Sequence, residues 1–182
     1  MKEISSIHNS YIKNLVKLQD KSRERKKQGL FIIEGKREIS LAISSNYEID
    51  TVLYNPDIIS EKDILHLFNA NINRIEISKE VYQKLAYRGS TEGIIAVTNS
   101  KEFSLENIKF KNDNPLILVA EGLEKPGNIG ALLRTADAAN IDAVLIANPK
   151  SDLYNTNIIR SSVGCVFTNN IAVGSSEEII SF

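Results

Sequence analysis

Several residue types are scarce in this chain of 182 residues, and each scarcity removes a class of function. The single cysteine, Cys165, cannot form an internal disulfide, which fits a reducing, cytoplasmic setting. Two histidines, His8 and His66, beside that one cysteine leave too few ligands for a dedicated transition-metal site, so no metal is expected. No apolar run approaches the ~20 residues of a membrane-spanning helix. The opening residues Met1-Lys-Glu-Ile-Ser-Ser lack the apolar stretch of a secretory signal. With 9 Gly, 4 Pro and 42% apolar residues, the composition is that of a globular chain with enough material for a core. Neither Gly-x-Gly-x-x-Gly nor Gly-Lys-Ser/Thr occurs, which argues against a dinucleotide or P-loop nucleotide site.

What is present is unevenly spread. The formal net charge is −1, but residues 1–45 carry ten Lys/Arg against five acids, while residues 101–182 carry seven against ten. A head of +5 on a body of −3 suits a polyanion gripped at one end. A plain solvated helix face is the alternative reading of the same charges.

The pattern predicts two α/β units. Asn9-Ser10 caps a helix with the stripe Ile12, Leu15, Val16 and Leu18, and the polar run Lys21–Lys27 follows as an exposed turn or helix. Strands are expected at Leu30–Ile33, Ile49–Tyr54, Arg74–Ile77 and Gly93–Val97. Helices are expected at Gly35–Ser45, Glu61–Ala70 (Ile64, Leu65, Leu67 and Phe68 inward) and Lys79–Ala86, the last capped by Ser78. Residues 1–100 form the first unit, 101–114 a linker and 115–182 the second unit. There Leu116–Ala120 reads as a buried parallel strand, followed by a helix from Asn128 to Ala139 and a strand at Ala143–Ala147. A helical turn near Thr156–Ser161, a strand Asn170–Val173 and a helix from Ser176 complete it.

The chemistry-bearing segment is Glu121-Gly-Leu-Glu-Lys-Pro-Gly127 and the helix behind it. A loop at the carboxyl end of a parallel strand is where open α/β sheets place ligands. Gly122 and Gly127 permit close approach or positive φ. Asn128 occupies an N-cap position, and Arg134 lies off the apolar stripe, able to hold a phosphate. The plain readings are a helix cap for Asn128 and an ion pair with Asp137 for Arg134. Arg160, Ser161 and Ser162 suit either contacts to RNA phosphates or to a dimer partner, or an ordinary helix end. Cys165 reads as a small core residue. Tyr82, Tyr87 and Arg88 suit either base stacking or, for the tyrosines, core packing.

The run Lys125-Pro-Gly-Asn-Ile-Gly-Ala-Leu-Leu-Arg-Thr-Ala-Asp-Ala-Ala139 resembles the first motif of SpoU-type (SPOUT-class, TrmH-type) RNA 2′-O-ribose methyltransferases. Ser151-Asp-Leu-Tyr-Asn155 and Ile158–Phe167 resemble the second motif region. His8-Asn9, Leu18, Arg25, Phe31–Gly35 and Gly93–Val97 fit the family's N-terminal substrate-binding domain, which is similar to small RNA-binding ribosomal proteins. The resemblance implies a small RNA-binding α/β domain followed by the first part of a knotted parallel α/β domain. It implies S-adenosylmethionine as methyl donor, ribosomal RNA or otherwise transfer RNA as substrate, and a homodimer where the full domain is present. Asn128 and Arg134 map onto the family's catalytic Asn and Arg. Arg23, Arg25, Lys26, Lys27 and Arg160 are the candidate RNA contacts. Lys125 and Asn140 depart from the family, which often has an acid or Asn and a Gly there. No Ser-Leu-Asn-Val-Ser third motif occurs before Phe182. The donor pocket is therefore expected beyond that residue, and tight donor binding is not expected of these 182 residues. The alternative is a truncated, non-catalytic RNA-binding protein with unpaired apolar faces in its second unit.

Overall fold

A computed structural model describes residues 2–68, 72–87, 92–110 and 113–182. It divides into two compact units, Met1–Ser100 and Lys101–Phe182.

The first unit is built on a mixed five-stranded sheet. Its strands are β1 (Lys2–Ile4), β2 (Leu30–Glu34), β3 (Ile49–Tyr54), β4 (Asn73–Ile77) and β5 (Ile94–Asn99), in the order β1-β4-β3-β5-β2. β1, β4 and β3 run parallel, and β5 pairs antiparallel with both β3 and β2. The helices are α1 (Ser10–Asp20), α2 (Ser22–Gln28), α3 (Lys36–Ser44), α4 (Glu61–Leu67) and α5 (Lys79–Leu85). The apolar spacing of α1 delivers Ile12, Leu15 and Leu18 onto one sheet face. There they meet Val81, Tyr82 and Leu85 of α5 over Ile32, Leu53, Ile75, Ile95 and Val97. Asn9 and Ser78 cap their helices as expected, and Ser60 does the same for α4; each accepts a backbone N–H of the first turn. Tyr54 lies wholly buried with its hydroxyl donating to Glu76 at 2.9 Å, and burial and that carboxylate push the phenol up to about 12.

Three features depart from the sequence pattern. β1 is an additional strand, whose three residues carry too little alternation to register as one. Leu65 is exposed, since a helix as short as α4 turns only Ile64 fully inward. Arg25 is 3% exposed and makes no part of an outer basic surface. Its guanidinium donates to the carbonyls of Leu18 at 2.7 Å and Gln19 at 2.8 Å, groups that the end of α1 leaves without helical partners. Tyr82 is likewise core, its hydroxyl accepting the Gly93 N–H at 2.9 Å, which leaves it no face for a base. Ala70, Arg88 and Asn112 lie outside the described residues.

The second unit is a three-stranded parallel sheet in the order β6-β7-β8: β6 (Ile117–Glu121), β7 (Ala143–Ala147) and β8 (Ile171–Gly174). α6 (Pro126–Ala138) joins β6 to β7. α7 (Thr156–Ser161) and an additional four-residue helix, α8 (Cys165–Thr168), join β7 to β8, and α9 (Ser176–Ser181) follows. Both crossovers step in the same direction across the sheet, so right-handed connections place α6, α7 and α8 on one face. α9 opens with a capping box between Ser175 and Glu178. Residues 101–110 run along this unit. Phe103 accepts the Val173 N–H at 2.8 Å, its ring lies 5.1 Å from that of Tyr154, and the Tyr154 hydroxyl bridges both backbone groups of Lys101.

β7 is buried throughout, as a central parallel strand should be. β6 is not the buried strand its apolar run suggests. It is an edge strand, with Val119 53% exposed and the preceding Leu116 60% exposed.

Replacing Arg25 by Met keeps the stem and removes the two carbonyl contacts. The expected cost is about 1.5–3 kcal/mol, the range for hydrogen bonds to a charged group. Urea unfolding should show a lower midpoint with an unchanged m-value.

Candidate active site

The carboxyl ends of the three parallel strands are tied together by the backbone. Gly122 N–H donates to Ala147 O at 2.9 Å, Lys150 N–H to Leu123 O at 3.2 Å, and Asn148 N–H to Gly174 O at 2.9 Å. Gly122 takes φ 63°, the left-handed turn that lets the chain leave β6 toward α6. Side chains add a second layer. Asn148 donates to the Ser176 hydroxyl at 2.8 Å, which donates to Glu121 Oε1 at 2.5 Å. The Ser151 hydroxyl donates to Glu124 O at 2.8 Å, holding the second-motif segment against the first. The rim is therefore preformed by residues from all three strand ends.

α6 starts one turn earlier than its pattern suggests. Lys125 is the N-cap and Pro126 the first helical residue, where a missing N–H costs nothing. Asn128 therefore sits inside the first turn, not at the cap. Its side chain is exposed, with no hydrogen-bond partner among the described residues, so its amide is available to a ligand. At the other end Asn140 adopts φ 51°, with Ile141 N–H on Ala136 O and Asn140 N–H on Asp137 O. That is an αL termination, supplied by Asn in place of Gly.

The two candidate catalytic residues make no hydrogen bond to one another among the described residues. Arg134 follows Asn128 by six positions, so the two lie ~9 Å apart along the helix and about 120° around it. Arg134 is exposed and makes no ion pair or hydrogen bond among the described residues. Asp137, its plain partner by spacing, accepts from the Thr168 hydroxyl instead.

Gly130 has a different job. A Cβ there would lie 2.0 Å from Ser161 Oγ and 2.7 Å from Ser162 N, so α6 and α7 touch backbone to backbone. Gly127 meets nothing within 4 Å and faces open space. Ser162 is buried, its hydroxyl donating to Ile159 O and accepting from Val166 N–H; Ser161 donates to Asn157 O at 2.6 Å. Both serines close α7, Ser162 wholly buried and Ser161 partly so. Val163 follows at φ 59°, a rare conformation for a β-branched residue, with Val163 N–H on Arg160 O and Gly164 N–H on Ile159 O. Cys165 is half-buried at the start of α8, and Arg160 is exposed on α7. Of the basic head, Arg23, Lys26 and Lys27 are exposed on α2. Among the described residues no group of three metal-binding side chains occurs, and no helix is long and apolar enough to cross a membrane.

The two motif glycines should separate cleanly in stability measurements. Gly130→Ala forces overpacking against α7 and should cost about 1–3 kcal/mol. Gly127→Ala, at an open helical position, should be neutral or stabilising by up to about 1 kcal/mol. Thermal melts of both variants check the pair.

Comparison with known proteins adds the family. Residues 9–96 match the MRM3-like substrate binding domain and residues 115–182 the SpoU rRNA Methylase family. A solved RNA 2′-O ribose methyltransferase is 37% identical, with a TM-score of 0.83 over 98% of this chain and 68% of its own. The methyltransferase AviRb from Streptomyces viridochromogenes, solved with AdoMet, shares the fold with a TM-score of 0.84 at 24% identity, covering 96% of this chain and 66% of that one. The 23S rRNA (guanosine(2553)-2′-O)-methyltransferase RlmP of Bacillus subtilis is 28% identical over 92% of this chain and 63% of its own length. A 23S rRNA (uridine(2479)-2′-O)-methyltransferase of Streptomyces viridochromogenes is 26% identical over 80% and 51%. The chain thus spans about half to two thirds of the length of these two curated relatives. On the strength of the first-motif helix, both matched family models and the 37%-identical solved relative, this chain belongs to the SpoU family of RNA 2′-O-ribose methyltransferases.

Proposed function

We propose that the protein acts in methyl transfer from S-adenosylmethionine to a ribose 2′-OH of structured RNA, with ribosomal RNA as the substrate class. The observation that carries this reading is the first-motif helix. It presents an unpartnered amide at Asn128 beside a preformed strand rim and, further along the same helix, an unpartnered guanidinium at Arg134. Solved relatives described with AdoMet and relatives named as 23S rRNA methyltransferases support donor and substrate class. The rim fits a hydroxyl-rich ligand in chemical type, offering the Asn128 amide and the Glu121 carboxylate. No residue of the chain is assigned to the donor. The donor's contribution is an activated methyl on a sulfonium.

The chain's own part is to hold the acceptor. A ribose hydroxyl is a poor nucleophile near neutral pH and has to be aligned and relieved of its proton. Arg134 grips the neighbouring phosphate with paired N–H groups, and its fixed charge favours the developing 2′-oxyanion. Asn128 orients the hydroxyl or the backbone next to it. The two residues lie ~9 Å apart along α6, and a second copy that contributes one of them brings both to one reacting centre. This supports a homodimer. Residues 1–100 serve as the RNA-binding part, and residues 115–182 as the transfer part.

The test is transfer of labelled methyl from S-adenosylmethionine to ribosomal RNA, with the product located at ribose. Arg134→Ala should lower the rate by about 10²–10³-fold, the usual loss for a removed oxyanion partner. It should shift stability by less than about 0.5 kcal/mol, as at any unpartnered surface site. Mixing Arg134→Ala with Asn128→Ala should restore about a quarter of the activity, since half the random dimers regain one of two sites. RNA retained without any label would instead establish a binder without transfer. Label found on a base would overturn the ribose assignment.

A further inference from the structure

The positive charge of the first unit is concentrated in α1 and α2. Residues 10–28 hold seven Lys/Arg (13, 17, 21, 23, 25, 26, 27) and two acids (20, 24), a net +5. Residues 29–100 hold seven Lys/Arg (36, 37, 62, 74, 79, 84, 88) and ten acids (34, 38, 48, 50, 57, 61, 63, 76, 80, 92), a net −3. With Arg25 buried, six cations remain on the outside: Lys13, Lys17, Lys21, Arg23, Lys26 and Lys27. All six are exposed, and none makes an ion pair among the described residues.

These charges are held on a fixed frame. Arg25 pins α2 to the carboxyl end of α1 through Leu18 and Gln19. Asn14 and Gln28 exchange side-chain amide hydrogen bonds at 2.9 and 3.1 Å between the two helices. Gly29 at φ 65° then ends α2 and turns the chain into β2. Charges on a frame already ordered meet a ligand with less conformational entropy to lose. Lys13 and Lys17 lie at successive turns of α1, ~6 Å of rise apart, and Lys21 is the extended residue that joins α1 to α2.

The single aromatic ring of α1 and α2, Tyr11, is partly buried and packed against the core. From Ile12 to Leu30 the sequence contains no aromatic residue. Sites for unpaired strands combine charge with aromatic platforms, whereas paired RNA is gripped through phosphates and shape. We propose that the outer face of α1 and α2 is a phosphate-backbone site for a base-paired RNA stem, contacted by those six cations. The site rests on the reading of the chain as an RNA-acting protein and names the part of the RNA its first unit grips.

Fluorescence anisotropy of the 182-residue chain tests this with two probes, a fully paired RNA hairpin and a single-stranded oligouridylate of equal length, across a salt series. The hairpin should bind more tightly. The triple variant Lys13→Gln, Lys17→Gln, Lys21→Gln should weaken hairpin binding about tenfold or more. It should reduce the log–log salt slope by roughly 0.7–0.9 for each phosphate that is no longer neutralised. Arg23→Gln, Lys26→Gln, Lys27→Gln should do the same. Lys79→Gln, Lys84→Gln on α5 should change neither, and all melts should match the parent, because every substituted residue is exposed. Hairpin binding with an unchanged slope in both triple variants overturns the site while leaving the RNA reading standing. Preference for the single strand overturns the paired stem. No binding of either probe by the parent chain removes the RNA reading itself, and this site with it.

Discussion

At Gly130 two helices approach so closely that a single methyl group has no room. The rest of the second unit is arranged around that contact. It presses α6 onto α7 and, through the buried hydroxyl of Ser162, onto the turn that leads into α8. With α6 held from behind by Ile129, Leu133 and Ala136, its remaining surface must face outward. Asn128 and Arg134 are exposed for that reason. The tightness has a local cost at Val163, a β-branched residue held in the left-handed region where α7 ends.

The same logic runs through the first unit with different chemistry. There the joint is polar: one guanidinium satisfies two carbonyls that a helix end leaves open, and two amides pair across the seam. A buried arginine thus serves the basic surface without being part of it. Its neighbours point outward because its own stem and head point inward. The two units solve one problem, how to hold a helix so that its outer side is free, by close packing in one and by buried hydrogen bonds in the other.

Exposed apolar surface is also uneven. β7 is covered on all sides, while β6 leaves Val119 open, with Leu116 just before it, and Ile180 and Phe182 stand out from α9 and its end. These exposed large apolar residues of the second unit thus gather on β6 and α9.

Much of this is legible in the residues themselves. Short apolar runs, helical stripes and Ser or Asn caps locate most elements, because hydrophobic periodicity and capping are local properties. The first-motif spacing marks the family for a similar reason, since Asn128, Gly130 and Arg134 lie on one continuous helix. Tertiary structure decided what depends on neighbours distant in sequence. Arg25 reads as surface charge until the end of α1 is placed beside it. Ser162 reads equally as a phosphate contact or a helix end until Gly130 brings α6 against it. β6 reads as buried until its place at the sheet edge is known. Asn128 and Arg134 read as a pair until helix geometry sets them on different sides of α6. Local sequence carries propensity and pattern; only the folded chain determines which polar groups are spent on holding it together and which remain for a ligand.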